Sequence, residues 1–226
     1  MMLDAAYSAR TLQRAGQWDA ALALLPYTSE TAAVRAEILV DRHTWRLDPV
    51  DEALTAVHGT SEAQPRTAAF LLAQLEYYRR MFGLGTQPLC DDPVEVFAAL
   101  PPTGWAVFWW SVAQENLRQD KDAAAEGLAR ARALAVADGD LFLESYAVRH
   151  EGALLHFEKG DPARGLPLLR RSLNLRAACG ARPQAAAAQR TLAEALGPGE
   201  ESDELREISA ATADELGLTW LKRAED

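Results

Sequence analysis

Four histidines, two cysteines and two acidic pairs are the residues that could carry chemistry in this 226-residue chain. A zinc-protease helix needs its second histidine four residues after the first, so that both side chains reach one ion from one helix face. Here His150-Glu151 is followed by His156, two residues too far on. His43 and His58 stand elsewhere, and no nucleophile elbow lies near any of the four. Cys90 and Cys179 make neither a metal-spaced pair nor a disulfide framework, and lone thiols suit a reducing compartment. Asp91-Asp92 and Asp138/Asp140 stand where helices should begin and read as caps. No glycine- and lysine-bearing loop of the phosphate-cradling kind occurs. These patterns predict no catalytic residue, no metal and no cofactor.

Charge narrows the partners. Lys and Arg number 23 against 33 Asp and Glu, a net charge of −10. That argues against nucleic acid, whose phosphates require a basic face. The acid is uneven: residues 201–226 hold eight acidic and three basic side chains, while 101–200 balance at twelve each. With 49% hydrophobic and 25% charged residues, the composition is that of a globular protein and excludes disorder as the main state. No run approaches eighteen uninterrupted apolar residues, so no membrane span is expected. The opening MMLDAAYSARTLQRAG carries Asp4 early and lacks a signal-peptide core, which predicts a cytoplasmic location. Arg outnumbers Lys by 20 to 3; with the excess of Ala, this reads as the coding bias of a GC-rich genome.

The elements that must position any site are helical. Ala occurs 44 times, whereas Val and Ile are scarce, and such a chain favours helix over sheet. One short pattern recurs: Gly-Gln-Trp-Asp-Ala-Ala-Leu at 16–22, Asp-Pro-Val-Asp-Glu-Ala-Leu at 48–54, Gln-Asp-Lys-Asp-Ala-Ala-Ala at 119–125 and Gly-Asp-Pro-Ala-Arg-Gly-Leu at 160–166. Each copy closes one amphipathic stretch and opens another. Asp or Pro suits the first turn of the second helix, and the small sixth residue (Ala21, Ala53, Ala124, Gly165) lets two helices approach closely.

The pattern resembles the tetratricopeptide repeat family, best at Gly16, Trp18 and Ala21. The later copies lack the aromatic, and the step of about 41 residues from 119 to 160 exceeds the usual 34. That longer period, with Ala-Arg-Ala-Leu-Ala-Val-Ala-Asp-Gly-Asp at 131–140, is similar to the divergent repeats of large bacterial transcription regulators, here without a DNA-binding or ATPase segment. The resemblance implies an all-α, right-handed superhelical solenoid of about six antiparallel hairpins in a single domain. The expected pairs are 3–15 with 17–26, 30–46 with 49–58, 64–82 with 93–100, 103–118 with 121–137, 140–158 with 162–178, and 182–196 with 202–216. A terminal turn is expected at 218–224. Glycines at 139, 160, 180 and 197 mark helix ends.

In that family the first helix of each hairpin lines a concave surface, and the resemblance implies a bacterial scaffold that holds a protein or peptide there. The inward residues are then Arg10, Gln13 and Arg14; Arg35, Ile38, Arg42, Trp45 and Arg46; Tyr77 and Arg80; Trp109 and Asn116; and His150 and Phe157. Spacings of three and four put each set on one helix face. Arg42, Arg46 and Arg80 are expected to receive anionic groups, with Trp45, Tyr77 and Trp109 supplying apolar contact. The competing reading takes Arg35, Arg42 and Arg46 as a solvated face paired with Glu37 and Asp41. A small anionic metabolite in the same groove is the alternative ligand, and an enzyme on helical repeats the remaining one.

Three features stand apart. Residues 83–92 form a long loop, read as a slack connection or as the flank of a binding site. Trp105, Phe108, Trp109 and Trp110 read mostly as core, with Trp109 or Trp110 as the candidate interface anchor. Leu216, Leu218, Trp220 and Leu221 read as a cap on the last hairpin; an exposed Trp220 would instead favour a homodimer.

Overall fold

Helix boundaries follow from caps written in the sequence. Asp120, Asp140 and Asp161 each accept a hydrogen bond from a backbone N–H three residues on, at 3.0, 2.9 and 3.2 Å. Thr103 does the same for Ala106, and Asp92 accepts from the Val94 N–H two residues on. At the far ends, Gly83 and Gly139 adopt φ of 62° and 69°, a left-handed turn that glycine enters without a Cβ penalty.

The protein is described here over residues 2–223 by a computed structural model, and these residues form thirteen α-helices packed in adjacent pairs, with no strand among them. The pairs are α1 (Met2–Arg14) with α2 (Trp18–Ala23), α3 (Ser29–Arg46) with α4 (Asp51–Thr60), and α5 (Pro65–Phe82) with α6 (Pro93–Ala99). Then come α7 (Gly104–Ala113) with α8 (Lys121–Asp138), α9 (Leu141–Ala153) with α10 (Pro162–Ala178), and α11 (Arg182–Leu196) with α12 (Glu200–Leu216). A short α13 (Thr219–Arg223) follows; position 224 of the expected terminal turn lies outside the described residues. The main departure is α2, which stops at Ala23 rather than 26. Pro26 explains it, because the residue before a proline is pushed out of the helical region.

The chain groups into two compact units. Unit 1 runs to Pro101 and includes the segment from Gly217; unit 2 is Pro102–Leu216. In unit 1, Leu39, Val40, Val57, Leu71 and Leu75 pack with Ala36, Ala53 and Ala68 across α3, α4 and α5. Each buried Leu or Val there contributes roughly 1.5–3 kcal/mol. The segment 217–223 is a cap, but in unit 1: α13 packs on α3, and Trp220 meets the Trp45 and Phe82 rings at 5.3 and 6.4 Å.

In unit 2 the small residues of the repeat do the work expected of them. A Cβ on Gly165 of α10 would lie 2.8 Å from the Gly152 carbonyl oxygen and 2.9 Å from the His156 nitrogen. Ala124 of α8 is fully buried, as are Ala21 and Ala53 at the matching places of unit 1. Both α7 and α9 end in a widened π-type turn, at Gln114–Arg118 and Leu154–Glu158. These tails, with second helices of 17–18 residues, account for a repeat longer than 34.

The irregular loop after α5 is tied down rather than slack. Glu76 of α5 is completely buried and accepts from Arg79 Nε and Nη2 (2.6 and 2.7 Å), Arg80 Nε (2.7 Å) and the Leu89 backbone N–H (3.0 Å). Arg79 also donates to the Gly85 carbonyl, and Arg80 to that of Asp91. One carboxylate thus holds two arginines that in turn hold both arms of the loop.

Candidate functional site

Arg42 and Arg46 stand on the last turns of α3, beside the start of α2 and the connection to α4. Arg42 reaches Asp19 (3.0 Å), Asp48 (3.2 Å) and Glu52, and Arg46 reaches the other Asp19 oxygen at 3.1 Å while its guanidinium lies over the Trp18 ring. Burial raises the Asp19 carboxyl, but the hydrogen bonds from Arg46 and Arg42 outweigh it and hold the group below its ordinary value. These arginines therefore have acidic partners, though not Glu37 and Asp41. Glu37 pairs with the exposed Arg10 at 2.5 Å. Asp41 instead accepts from the Trp18 indole (2.8 Å) and the Trp45 indole (3.2 Å). Burial pushes its carboxyl up to about 6, opposed by the hydrogen bonds from Trp18, Gln13 and Trp45.

Other expected groove residues of unit 1 also face inward contacts. Arg35 is buried, with Nη1 donating to the Leu22 and Leu25 carbonyls at 2.9 and 2.8 Å and Tyr27 lying over its guanidinium. It closes the end of α2, whose last carbonyls lack helical partners. Trp45 is half-buried against Trp220, and Tyr77 is buried with its ring against Tyr78. Arg80 belongs to the Glu76 clasp and approaches Asp92 at 3.7 Å. Arg14 is exposed on α1.

Unit 2 offers a different arrangement. Trp109 is 7% exposed and Phe108 1%, so Trp109 belongs to the core rather than to an open anchor. The cause is α7 itself, GWAVFWWSVA, which is apolar around its circumference and so is buried on most sides. Phe108 makes edge contacts with Trp105, Tyr146 and His150 at 6.0, 5.4 and 5.5 Å. Asn116 turns back to donate to the Val112 carbonyl at 3.0 Å. Phe157 is exposed and stands against His156.

Around His150 the charged groups gather. Its Nδ1 lies 3.1 Å from Glu115 of the α7 tail. Burial lowers the His150 pKa, the Glu115 hydrogen bond opposes this, and Arg149 and Arg176 add to the lowering. Arg149 donates to Thr191 of α11 at 3.3 Å. Arg176, at the end of α10, is 3% exposed; its Nη1 donates to the Gln184 carbonyl at 2.7 Å and its guanidinium lies 4.9 Å from the Tyr146 ring centre. Burial pulls its pKa down to about 10. Its Nε has no acceptor, and the buried Gln184 Oε1 has no donor. Sequence spacing reached His150, but not Arg149, Tyr146 or Arg176. Tyr146, Arg149 and His150 share one face of α9, a signal present at i, i+3 and i+4. Arg176 comes from another helix and left no local signal.

Among the described residues no group of three or more His, Cys, Asp or Glu could hold a metal ion, and no helix is long and apolar enough to cross a membrane. Burial, with Glu76 adding to it, pushes the Cys90 thiol up to about 11, so it is not an activated nucleophile.

Among solved structures, the crystal structure of MamA protein is similar at 18% identity and a TM-score of 0.40, over 87% of this chain and 96% of that one. At that score the likeness carries no weight for fold or function. No family model and no curated protein matches the chain.

Proposed function

We propose that this is a non-catalytic binding scaffold on helical repeats of the tetratricopeptide type, and that it receives an acidic group of a partner protein at the Arg149–His150–Arg176 cluster of unit 2. Arg176 carries the reading: a residue 97% removed from solvent, whose charge meets that of a second arginine, Arg149, and whose Nε–H lacks an acceptor. A buried cation is costly unless paired. Glu115 offsets part of the local charge through His150, and a carboxylate arriving at the half-buried Arg149 offsets the remainder in a forked geometry that suits arginine. Of the fourteen groove residues expected from sequence, His150 alone belongs to this cluster. Arg10, Arg42, Arg46 and Arg80 already have acidic partners within the chain.

Affinity capture from lysate of the source organism, with the wild type and Arg149→Glu as baits, tests the proposal. A protein retained by the wild type and lost with the variant, whose melting temperature is unchanged, is the expected result. Equal capture by both overturns it. An anionic metabolite is the second reading, since the same cluster suits a small carboxylate. The low-mass fraction of the lysate would then raise the melting temperature of the wild type and not of Arg149→Glu.

A further inference from the structure

We infer that the groove between α3 and α4 in unit 1 is a seat for a short amphipathic helix of a partner protein, basic along one flank. A cavity of about 730 Å³ runs along this groove, within the range of ligand-binding sites. Small residues line it, Ala32 on α3 with Ala56 and Gly59 on α4, together with the buried Leu39. Small residues let a third helix approach two others at the 8–10 Å of ordinary packing.

The groove is open because the chain's own helix stops short of filling it. The second helix of one hairpin packs on the first helix of the next, as α8 does on α9 and α10 on α11. In unit 1 this role falls to α2. It runs antiparallel to α3, from the Asp19–Arg46 pair at its start to the Leu22 and Leu25 carbonyls on Arg35 at its end. Six residues at 1.5 Å each span about 9 Å, against about 27 Å for the eighteen of α3. Beyond Arg35 the α3 face is left without that cover, and Tyr27, 87% exposed, stands at the rim.

Charge selects the occupant. Asp51 lines the groove and is exposed, and the exposed Glu30 lies next to the lining residue Ser29. The neighbouring Glu52 is held by Arg42; Arg35 keeps its charge but is 6% exposed, with its donors turned to two carbonyls, so the rim presents Asp51 and Glu30 to solvent. The net invitation is to Lys or Arg. A second copy of the chain, at −10, complements such a rim poorly.

Gly59 supplies the test. A Cβ there meets nothing within 4 Å, so a side chain at this lining position starts into open space, and Gly59→Trp is the plug. Thr55→Trp, at an exposed lining position, is the second plug should the first lower the melting temperature. A display library of 16-residue helix-forming peptides is selected on the full-length wild type and counter-selected on Gly59→Trp. The expected winners carry apolar residues at i, i+3, i+4 and i+7 with Lys or Arg on one flank. They bind the wild type at least tenfold more tightly than either plugged variant and lose affinity with Asp51→Lys. Arg149→Glu leaves their binding unchanged, which separates this site from the unit 2 cluster. Three results overturn the inference: no peptide distinguishing wild type from plug, winners without basic residues and indifferent to Asp51→Lys, or a wild-type dimer that the plug dissolves.

Discussion

Replacing Glu76 by Gln removes one charge from a buried site while keeping its shape. The folded protein holds this carboxyl at about 2, against an ordinary 4.5: burial raises it, and the Arg79, Leu89 and Arg80 hydrogen bonds overcome that. At roughly 1.36 kcal/mol per unit, the difference corresponds to about 3 kcal/mol. Arg79 and Arg80 are partly exposed, so water screens some of this and about 2 kcal/mol is the expected loss in Glu76→Gln at pH 7. Because the folded pKa is depressed, the stabilisation is complete above about 4.5 and is lost as pH falls towards about 2. The gap between wild type and variant should therefore shrink by more than half between pH 7 and pH 3. Urea titrations at the two pH values measure it, and hydrogen exchange at the Leu89 amide reports whether the loop has come loose. A gap that is equal at both pH values, or an unchanged Leu89 exchange rate, would refute the clasp.

Asp41 should show the opposite sign. Its folded pKa of about 6 lies above the ordinary value, so the folded state takes up a proton first and the contribution to stability rises as pH falls. Between pH 7.5 and 5 the wild type should gain about 1 kcal/mol relative to Asp41→Asn, read by the fluorescence of Trp18 and Trp45 during denaturation. Gly165→Ala places a methyl group against backbone atoms of α9 and should cost about 1–3 kcal/mol in thermal unfolding; a neutral result would mean that α9 and α10 can separate freely.

Helix starts and ends were legible because each has a local cause. Asp120, Asp140 and Asp161 announce themselves as caps, and glycine closes α5 and α8. The sixth-position Ala or Gly also reads directly, since its burial is a property of the hairpin turn. The candidate site was less legible. Periodicity places Trp45, Tyr77 and Trp109 on a helix face, but which neighbour covers that face depends on residues far along the chain. Trp45 meets Trp220, and no spacing rule links positions so distant. Likewise Arg35 sits in phase with Arg42 and Ile38, yet its donors turn to the carbonyls of a helix that Pro26 had ended early. The Glu76 clasp depends on a backbone N–H thirteen residues away, which residue types cannot show.

The widened turns that end α7 and α9 bear on how rigidly each hairpin is closed. They sit at the same place in two successive hairpins, just before the aspartate caps of α8 and α10. In each, one aspartate serves both helices. The Asp120 N–H donates to the Gln114 carbonyl at 3.1 Å and the Asp161 N–H to the Leu155 carbonyl at 2.9 Å, closing the preceding helix, while the carboxylate caps the helix that follows. The two helices of each hairpin are thus hinged on a single residue, and opening the angle between them breaks a bond on one side or the other.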